Sequence, residues 1–333
     1  MHSTLQQIIF LRQVRARLGS DIHFAEELAE TLHISTDSAY RRMRGQTAMT
    51  FQEVALLSRK YNLSVDALLG QQLDMVGFQF TPLKASIPGF HEYLRNIQEQ
   101  LLSMQDIESS ELYFAGSDLP IFHYFPYPDL TAFKIYFWLR IYTQAPDVRE
   151  RHFERSIIPE ELINRARQAY QAYLPMHSFE VIHTRALEVS LHQFSWCLSH
   201  NLIKRRGEAE RILHQLARLG EGLRVQADRG VKEDPDSQIH EGGNISLYAN
   251  NFHLGDNIML MRQGDRIISH LNQNMLQIML TTHETFGANC LSYVQNIMLA
   301  ESRVEQDSPF FEELARLITE MQKCIASHPF ELD

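Results

Sequence analysis

The chain has 333 residues, of which 44% are hydrophobic, so it can bury a sizeable core and exceeds one typical domain. Its formal net charge of −10 argues against a protein that coats nucleic acid regardless of sequence. No apolar run approaches the ~18–20 residues needed to span a membrane, and the start lacks the charged region of a signal peptide. We therefore expect a cytoplasmic protein without membrane contact.

A helix is predicted at the start of the chain. Its buried side is assigned to Leu5, Ile8, Ile9 and Leu18. The next stretch, from Phe24 to Gly45, predicts two short helices joined by a tight turn. The first of these helices has three residues on one apolar face: Ala25, Leu28 and Leu32. His33 occupies the turn, where the backbone needs positive φ, and His tolerates that region better than most residues other than Gly.

The second helix of this pair has the features of a DNA recognition helix. Ser35 is placed as its N-cap, and Gly45 follows its end as a C′ residue. Ala39 and Met43, four residues apart, face inward. The outward side carries Thr36, Asp37, Tyr40, Arg41 and Arg44. A helix-turn-helix presents its second helix to the major groove of DNA in this way.

Helix position, together with the family resemblance given below, predicts the DNA contacts of this helix and of the two residues after Gly45. Base contacts are predicted for Thr36, Ser38, Tyr40 and Arg41. Phosphate contacts are predicted for Arg44, Gln46 and Thr47. Arg42, the remaining arginine of this helix, is assigned to the same set of DNA-binding residues. The alternative is an ordinary helical hairpin inside an all-helical domain.

The residues after this pair continue the helical pattern. Thr50 to Glu53 form a capping box that opens a fourth helix, and Ser64 is placed as the cap of a short fifth helix that ends near Gly70. Residues 1–72 resemble lambda-repressor-like (Xre-type) regulators in the positions of Leu28-Ala29, Ile34-Ser35 and Arg44-Gly45. This resemblance implies an all-α domain of five helices that binds a double-stranded DNA operator.

A second resemblance covers most of the chain. The phrase DSAYRRMRGQT and the later segment DLPIFHYFPYPDLTAFKIYFWL are similar to a group of long bacterial helix-turn-helix regulators with a large uncharacterised C-terminal region. This resemblance implies no known ligand.

Charge is distributed unevenly along the chain. Residues 1–72 carry a net charge of +1, and the remainder carries −11. An acidic body repels DNA, so the N-terminal unit is the plausible contact. The small positive surplus predicts weak, salt-sensitive non-specific binding.

A linker is predicted over residues 73–87, and a C-terminal sensor or dimerisation region over 88–333. The helix from about Pro88 to Asp106 has an apolar seam at 4-3-4-3 spacing, formed by Phe90, Leu94, Ile97, Leu101 and Met104. The seam is consistent with a dimer helix and equally with packing on its own domain. A later helix carries a second seam: Ala209, Ile212, Leu216, Leu219 and Leu223.

The C-terminal region predicts a mostly helical α+β fold with a small antiparallel sheet. Strands are predicted at 111–116, 179–183, 245–250, 257–261 and 266–271, with a hairpin turn at 263–265. A polar loop is predicted over 230–243. Helices are predicted at 159–174, 184–201, 207–230, 284–300 and 308–326, and an apolar helix or buried segment at 130–142.

Aromatic residues concentrate between Tyr113 and Tyr142. One interpretation is a ligand pocket lined by Phe122, Tyr124, Phe125 and Tyr127. The other is hydrophobic core, because aromatic side chains bury large areas.

No residue pattern predicts catalysis. Cys197, Cys290 and Cys324 are widely spaced, which is typical of reduced thiols. His192 and His200 lie near Cys197, but no metal-ligand motif completes a site. We expect no enzyme activity, no metal and no cofactor.

Together these features predict a sequence-specific DNA-binding transcriptional regulator. Its predicted partners are a DNA operator, a second copy in a homodimer, and a small-molecule or protein effector. The alternative is a ligand- or protein-binding module whose helix-turn-helix is vestigial.

Overall fold

The fold was obtained as a computed structural model. It describes residues 2–18, 23–61, 63, 65, 75–105, 110–236, 241–252, 254, 257–272, 276–305 and 307–330. The chain divides into two compact units, Met1–Phe78 and Gln79–Asp333. The fifth helix predicted from Ser64 to Gly70 falls largely on residues outside this description.

The N-terminal unit is built from helices around a small core. The helices within its described residues are α1 (His2–Ala16), α2 (Phe24–Leu32), α3 (Thr36–Met43) and α4 (Phe51–Tyr61). The buried apolar core consists of Phe10, Leu11, Val14, Phe24, Leu28, Ala29, Ala39 and Leu57. The prediction of an all-α N-terminal domain is confirmed.

The buried face of α1 differs from the predicted one. Leu5 and Ile9 are 58% and 39% exposed, whereas Phe10, Leu11 and Val14 are buried. The buried residues follow one another at helical spacing, and that spacing excludes Leu5 and Ile9 from the same side. The remaining two predicted residues, Ile8 and Leu18, are half-buried.

A polar cluster joins α2 to α4. Lys60 Nζ and Tyr61 Oη lie 2.6 Å and 2.5 Å from Glu27 Oε1, and Lys60 Nζ also donates to Thr31 Oγ1 at 2.7 Å. The hydrogen bonds from Lys60 and Tyr61 lower the pKa of Glu27 against the opposing effect of burial. The carboxylate therefore stays ionised while it holds the two helices together.

In the described residues of the C-terminal unit, eight strands form one mixed sheet. The strands are β1 (Gln79–Phe80), β2 (Ser110–Gly116), β3 (His177–His183), β4 (Val231–Glu233), β5 (Glu241–Asn250), β6 (Ile258–Gln263), β7 (Arg266–Asn272) and β8 (Ile278–Thr281). Their order in the sheet is β1-β8-β7-β6-β2-β3-β5-β4. Strands β2, β3 and β5 are parallel, and all other pairs are antiparallel.

The predicted α+β class is confirmed, and the predicted hairpin between β6 and β7 is present. Gly264 in its turn has φ of 58°, a conformation that suits Gly. The sheet is larger than the few predicted strands, and its centre is parallel. Strands β1 and β4 are too short to give an alternating pattern, and β4 lies inside the predicted polar loop. Strand β1 lies inside the predicted linker 73–87.

Helices cover both faces of this sheet. They are α5 (Ile87–Gln105), α6 (Pro128–Phe137), α7 (Glu160–Tyr173), α8 (Ala186–Ser199), α9 (Arg206–Arg229), α10 (Glu284–Ala300) and α11 (Pro309–Ser327). A π-helical turn from Trp138 to Tyr142 extends α6. One large core includes residues of α5 to α9 and α11. A smaller core on the other face joins Val294 of α10 to Tyr113, Val181 and Leu260 of the strands.

Both predicted seams are buried inside this unit. All five apolar residues of the α5 seam, and all five of the α9 seam, belong to the large core. The interpretation of α5 as a helix packed on its own domain therefore holds. Neither seam is free to form a dimer interface.

Among the described residues, no helix combines the length and the apolarity that crossing a bilayer requires.

Candidate nucleic-acid interface

The turn between α2 and α3 has the backbone geometry that the sequence predicts. His33 has φ of 54° and ψ of 44°, in the left-handed region. This conformation lets the His33 amide donate to Glu30 O and the Ile34 amide donate to Ala29 O. Both bonds satisfy carbonyls that the end of α2 would otherwise leave free. The turn therefore forms without a glycine.

Local signals also fix both ends of α3, the candidate recognition helix. Ser35 Oγ accepts a hydrogen bond of 3.3 Å from the Ser38 amide, so Ser35 is the predicted N-cap. Gly45 has φ of 71°, as expected for the residue that ends the helix. The Gln46 amide then donates to Arg41 O at 2.8 Å, which turns the chain away from the helix.

Gln7 of α1 holds the loop that follows α3. Its Nε2 donates to the carbonyls of Arg42 and Thr47 at 2.7 Å and 2.9 Å. Its Oε1 accepts from the Met49 amide at 2.8 Å. One amide side chain thus satisfies three backbone groups and ties α1 to the segment from α3 to α4.

Sequence reasoning missed the role of Gln7. The available signal was its position, because Gln7 precedes Phe10, Leu11 and Val14 by three, four and seven residues. It therefore lies on the buried face of α1. A polar side chain on such a face needs internal hydrogen-bond partners.

The outer face of α3 and its following loop carries most of the predicted DNA-binding residues. Thr36, Tyr40, Arg41, Arg44 and Gln46 are exposed, whereas Ser38 and Thr47 are half-buried. These seven residues are mostly hydrogen-bond donors, and two of them are cations. The face can therefore offer charged donors to phosphates and planar donors to base edges.

Two interactions organise the cations on this face. Arg41 Nη2 lies 2.9 Å from Asp37 Oδ2 in an ion pair whose side chains are 61% and 73% exposed. The Arg44 guanidinium lies 5.8 Å from the centre of the Tyr40 ring. Exposed pairs of this kind are weak, so a phosphate or a base can compete for either arginine.

Arg42 differs from Arg41 and Arg44 because it points into the unit. Its Nη2 and Nε lie 2.8 Å and 3.3 Å from the two carboxylate oxygens of Glu53, and Nη1 donates to Ser38 O at 3.3 Å. The side chains of Arg42 and Glu53 are only 13% and 15% exposed. These contacts favour a structural link between α3 and α4 over the predicted contact with DNA.

Glu53 also forms the predicted capping box. The Thr50 amide donates to Glu53 Oε2 at 2.8 Å, and the Glu53 amide donates to Thr50 Oγ1 at 3.2 Å. Burial alone would raise the pKa of Glu53, but the hydrogen bonds from Arg42 and the Thr50 amide outweigh it and leave the pKa below its ordinary value of 4.5. The same carboxylate thus caps α4 and binds Arg42.

Of two cavities that the described residues form beside the aromatic residues predicted to line a ligand pocket, neither is lined by all four. Phe122 and Tyr124 border a cavity of about 70 Å³, and Tyr127 borders a separate one of about 10 Å³. Phe125 packs in the large core, where its ring makes an edge contact with Phe122. The arrangement agrees better with the alternative interpretation of these aromatics as core.

Tyr124 belongs to a buried polar network. It donates to Asp118 Oδ1 at 2.7 Å and accepts from Ser190 Oγ at 3.0 Å. Lys134 Nζ lies 4.2 Å from the centre of the Tyr124 ring and donates to Gln193 Oε1 at 2.8 Å. Because each hydroxyl and ammonium group has protein partners, this network supports the fold.

The residues around Cys197 do not form a metal centre. Burial raises the pKa of the Cys197 thiol to about 12, and His200 stacks on Trp196 at 4.0 Å. Within the described part of the chain, no three His, Cys, Asp or Glu side chains are grouped so that they could hold a metal ion.

Comparison with protein families gives one match to this region. A family model described as the BetR domain matches residues 8–88, about a quarter of the chain. The family consists of helix-turn-helix regulators, and the match spans most of α1 and all of α2, α3 and α4. The N-terminal unit is therefore similar to a DNA-binding regulatory domain. Comparison with curated proteins and with solved structures gives no match.

We expect Gln7→Ala to lower the free energy of unfolding of the N-terminal unit by about 1–3 kcal/mol, because it leaves three backbone groups without partners. Native-state hydrogen exchange of the α3 amides in the full chain measures this loss. Gln13→Ala, at an exposed position of the same helix, serves as the control and should change little. Equal effects of the two substitutions would contradict the assigned role of Gln7.

Glu53 should make the N-terminal unit acid-sensitive. Its folded-state pKa lies below 4.5, so the stability that it contributes is present above the ordinary pKa and is lost as pH falls through the folded pKa. Urea unfolding from pH 7 to pH 3 should therefore show a smaller loss of stability for Glu53→Gln than for the unchanged protein. Glu30→Gln, at an exposed position of α2, should retain the original pH dependence.

Proposed function

We propose that this protein is a sequence-specific DNA-binding transcriptional regulator that acts in the cytoplasm. The observation that carries the proposal is the outer face of α3, a capped helix after a tight turn, with Arg41 and Arg44 exposed on it. The resemblance to lambda-repressor-like domains and the match of residues 8–88 to the BetR domain support the same function.

The proposal gives the exposed residues two tasks. Thr36, Ser38, Tyr40 and Arg41 read base edges in the major groove. Arg44, Gln46 and Thr47 bind phosphates and set the register of the helix on the duplex. This division follows from helix position, because the N-terminal part of a recognition helix contacts the bases. Arg42 supports this face indirectly, because its ion pair with Glu53 links α3 to α4.

Charge supports this assignment of the DNA contact. The N-terminal unit has to provide the attraction, because the remainder of the chain is strongly acidic. With few cations available, we expect specific contacts to contribute a large share of affinity and non-specific binding to be weak at physiological salt.

The proposal includes a homodimer and an effector. A small helix-turn-helix reaches few base pairs, and regulators of this kind gain specificity from two half-sites about 34 Å apart. Because both apolar seams are buried, a dimer would use another surface. We assign the dimer interface to α10, where the large side chains of Tyr293 and Leu299 are 41% and 86% exposed. The effector would act through the C-terminal unit.

The roles of the arginines can be separated by titration. Against an operator selected from genomic fragments, Arg41→Ala should weaken binding by about 1–3 kcal/mol and relax preference at one base position. Arg44→Ala should weaken all sequences alike and reduce the slope of log affinity against log salt by about 1. Unchanged affinity for both variants would contradict the assignment and favour a vestigial helix-turn-helix.

Arg59→Ala is the matched control for these variants. Arg59 is an exposed arginine in the last turn of α4, so its loss removes the same charge at a site outside the recognition face. We expect its effect to be small. An effect equal to that of Arg44→Ala would indicate a general charge effect in place of a phosphate contact.

The dimer can be tested with the full chain. Sedimentation equilibrium at micromolar concentration should give twice the 38.7 kDa mass of one chain. Leu299→Ser should shift the equilibrium toward monomer, because it removes exposed apolar surface from the proposed interface. A monomer at all concentrations would contradict the dimer, and a stable Leu299→Ser dimer would contradict this surface.

A further inference from the structure

Helix α10 covers part of one face of the sheet and exposes its own outer side. Its inner side contacts strands β2, β6 and β7, and Gly287 and Val294 are buried there. A Cβ atom at Gly287 would lie 3.0 Å from Ile267 Cβ, so the helix packs closely on β7. The outer side carries ten exposed residues: Glu284, Thr285, Ala288, Asn289, Ser292, Tyr293, Gln295, Asn296, Leu299 and Ala300.

This outer side is almost free of charge. Glu284, in the first turn, is the one charged residue of the 17-residue helix. Helix α11, which is of similar length, exposes Glu312, Arg316, Glu320 and Lys323. A helix that faces solvent on a globular protein ordinarily carries charged residues on that side. The neutral outer side of α10 therefore favours a surface that is covered.

The charge of the remaining chain selects what can cover it. Residues 73–333 carry a net charge of −11, so two copies repel each other wherever their carboxylates meet. A contact between two copies therefore needs a surface without carboxylates, and the middle of α10 provides one. A basic partner would be attracted to the acidic surfaces instead. The outer side of α10 thus fits a second copy of this chain.

The polar groups on this side can pair with copies of themselves. Asn289 and Asn296 carry carboxamides, and a carboxamide is both a donor and an acceptor. Two such groups from two copies can hydrogen-bond to each other, which two carboxylates or two ammonium groups cannot do. Both belong to a stripe of five exposed residues at 4-3-4-3 spacing. The stripe consists of Thr285, Asn289, Ser292, Asn296 and Leu299.

Two-fold symmetry and the charge of Glu284 determine the orientation of the two helices. In a parallel pair the two Glu284 carboxylates would lie side by side, and both helix dipoles would point the same way. An antiparallel pair separates the carboxylates and brings opposite ends of the two dipoles together. A two-fold contact pairs each surface with itself, so Ser292, the midpoint of the helix, lies at the axis.

We propose that α10 packs antiparallel against α10 of a second copy, with the two-fold axis at Ser292 and a carboxamide pair between Asn289 and Asn296 of the second copy. The arrangement rests on the homodimer of the proposed function, and it adds the orientation of the two copies and the residues at the axis. The small side chain of Ser292 lets the two helix axes approach to about 8 Å.

An engineered cysteine in the full-length protein tests the axis. Cys324 is an exposed native thiol, so every variant carries Cys324→Ser as well. Ser292→Cys should form a disulfide-linked dimer under mild oxidation, because Cα atoms at the axis lie within the ~4–7 Å span of a disulfide. Thr319→Cys, at an exposed position of α11, is the matched control and should stay monomeric on the same denaturing gel. Equal cross-linking of the two variants would overturn the proposal.

Two further cysteines test the orientation. Thr285 and Leu299 lie seven residues on either side of Ser292, so in an antiparallel pair each lies about 21 Å from its own copy. The double variant Thr285→Cys/Leu299→Cys should therefore cross-link at least tenfold faster than either single variant. Cross-linking of Thr285→Cys alone at the rate of the double variant would show a parallel pair and would overturn the proposed orientation.

An added charge tests the carboxamide pair. Asn289→Asp places a carboxylate in the contact of both copies, so the dimer should dissociate about tenfold more readily at low salt, and added salt should restore part of the loss. Asn164→Asp, at an exposed position of α7, adds the same charge elsewhere and should leave the dimer unchanged. Equal effects of the two substitutions would overturn the placement of Asn289 in the contact.

Sedimentation equilibrium of the unchanged protein keeps this contact and the proposed function apart, because it detects a dimer formed through any surface. A dimer in that experiment without cross-linking of Ser292→Cys would overturn the α10 contact and leave the dimeric regulator standing. A monomer at all concentrations would overturn both the contact and the homodimer, and binding of DNA by α3 would still be measured separately.

Discussion

Helix α3, the candidate recognition helix, depends on the hydrogen bonds of one side chain outside it. Helix α3 has eight residues, and a helix of that length is not stable alone in water. Gln7 fixes it from α1 by binding backbone groups of Arg42, Thr47 and Met49. Because those groups lie at the end of α3 and in the following loop, the same bonds set the direction in which Arg44 and Gln46 leave the helix.

Three arginines at the C-terminal end of α3, Arg41, Arg42 and the C-cap Arg44, have different environments although they lie within four residues. Arg42 is turned toward Glu53 and links α3 to α4, whereas Arg41 and Arg44 remain exposed. Glu53 serves both the Arg42 contact and the cap of α4, so the capping box and the orientation of the face are coupled. In the proposed function, Arg41 and Arg44 are available to contact DNA because Arg42, a third and internal cation, links α3 to α4.

Local chemistry made part of this architecture predictable. The positive φ of His33, the Ser35 cap, the Gly45 terminus and the Thr50–Glu53 capping box each depend on neighbouring residues, and the structure confirms all four. Contacts distant in sequence were not predictable: the Gln7 bonds span 35–42 residues. The pairing of β1 with β8, about 200 residues apart, was not predictable for the same reason. The α5 seam was visible in the sequence, but its role was not predictable. Its spacing suits a dimer interface and a domain core equally.

Selection of random DNA duplexes by the purified full-length protein tests the central claim most directly. If α3 reads DNA sequence, the selection should enrich a short motif, and the same selection with Arg41→Ala should lose preference at one position of that motif while the others persist. Enrichment of no motif by the unchanged, folded protein, or an identical motif from Arg41→Ala, would contradict the account of α3 as the element that reads the bases.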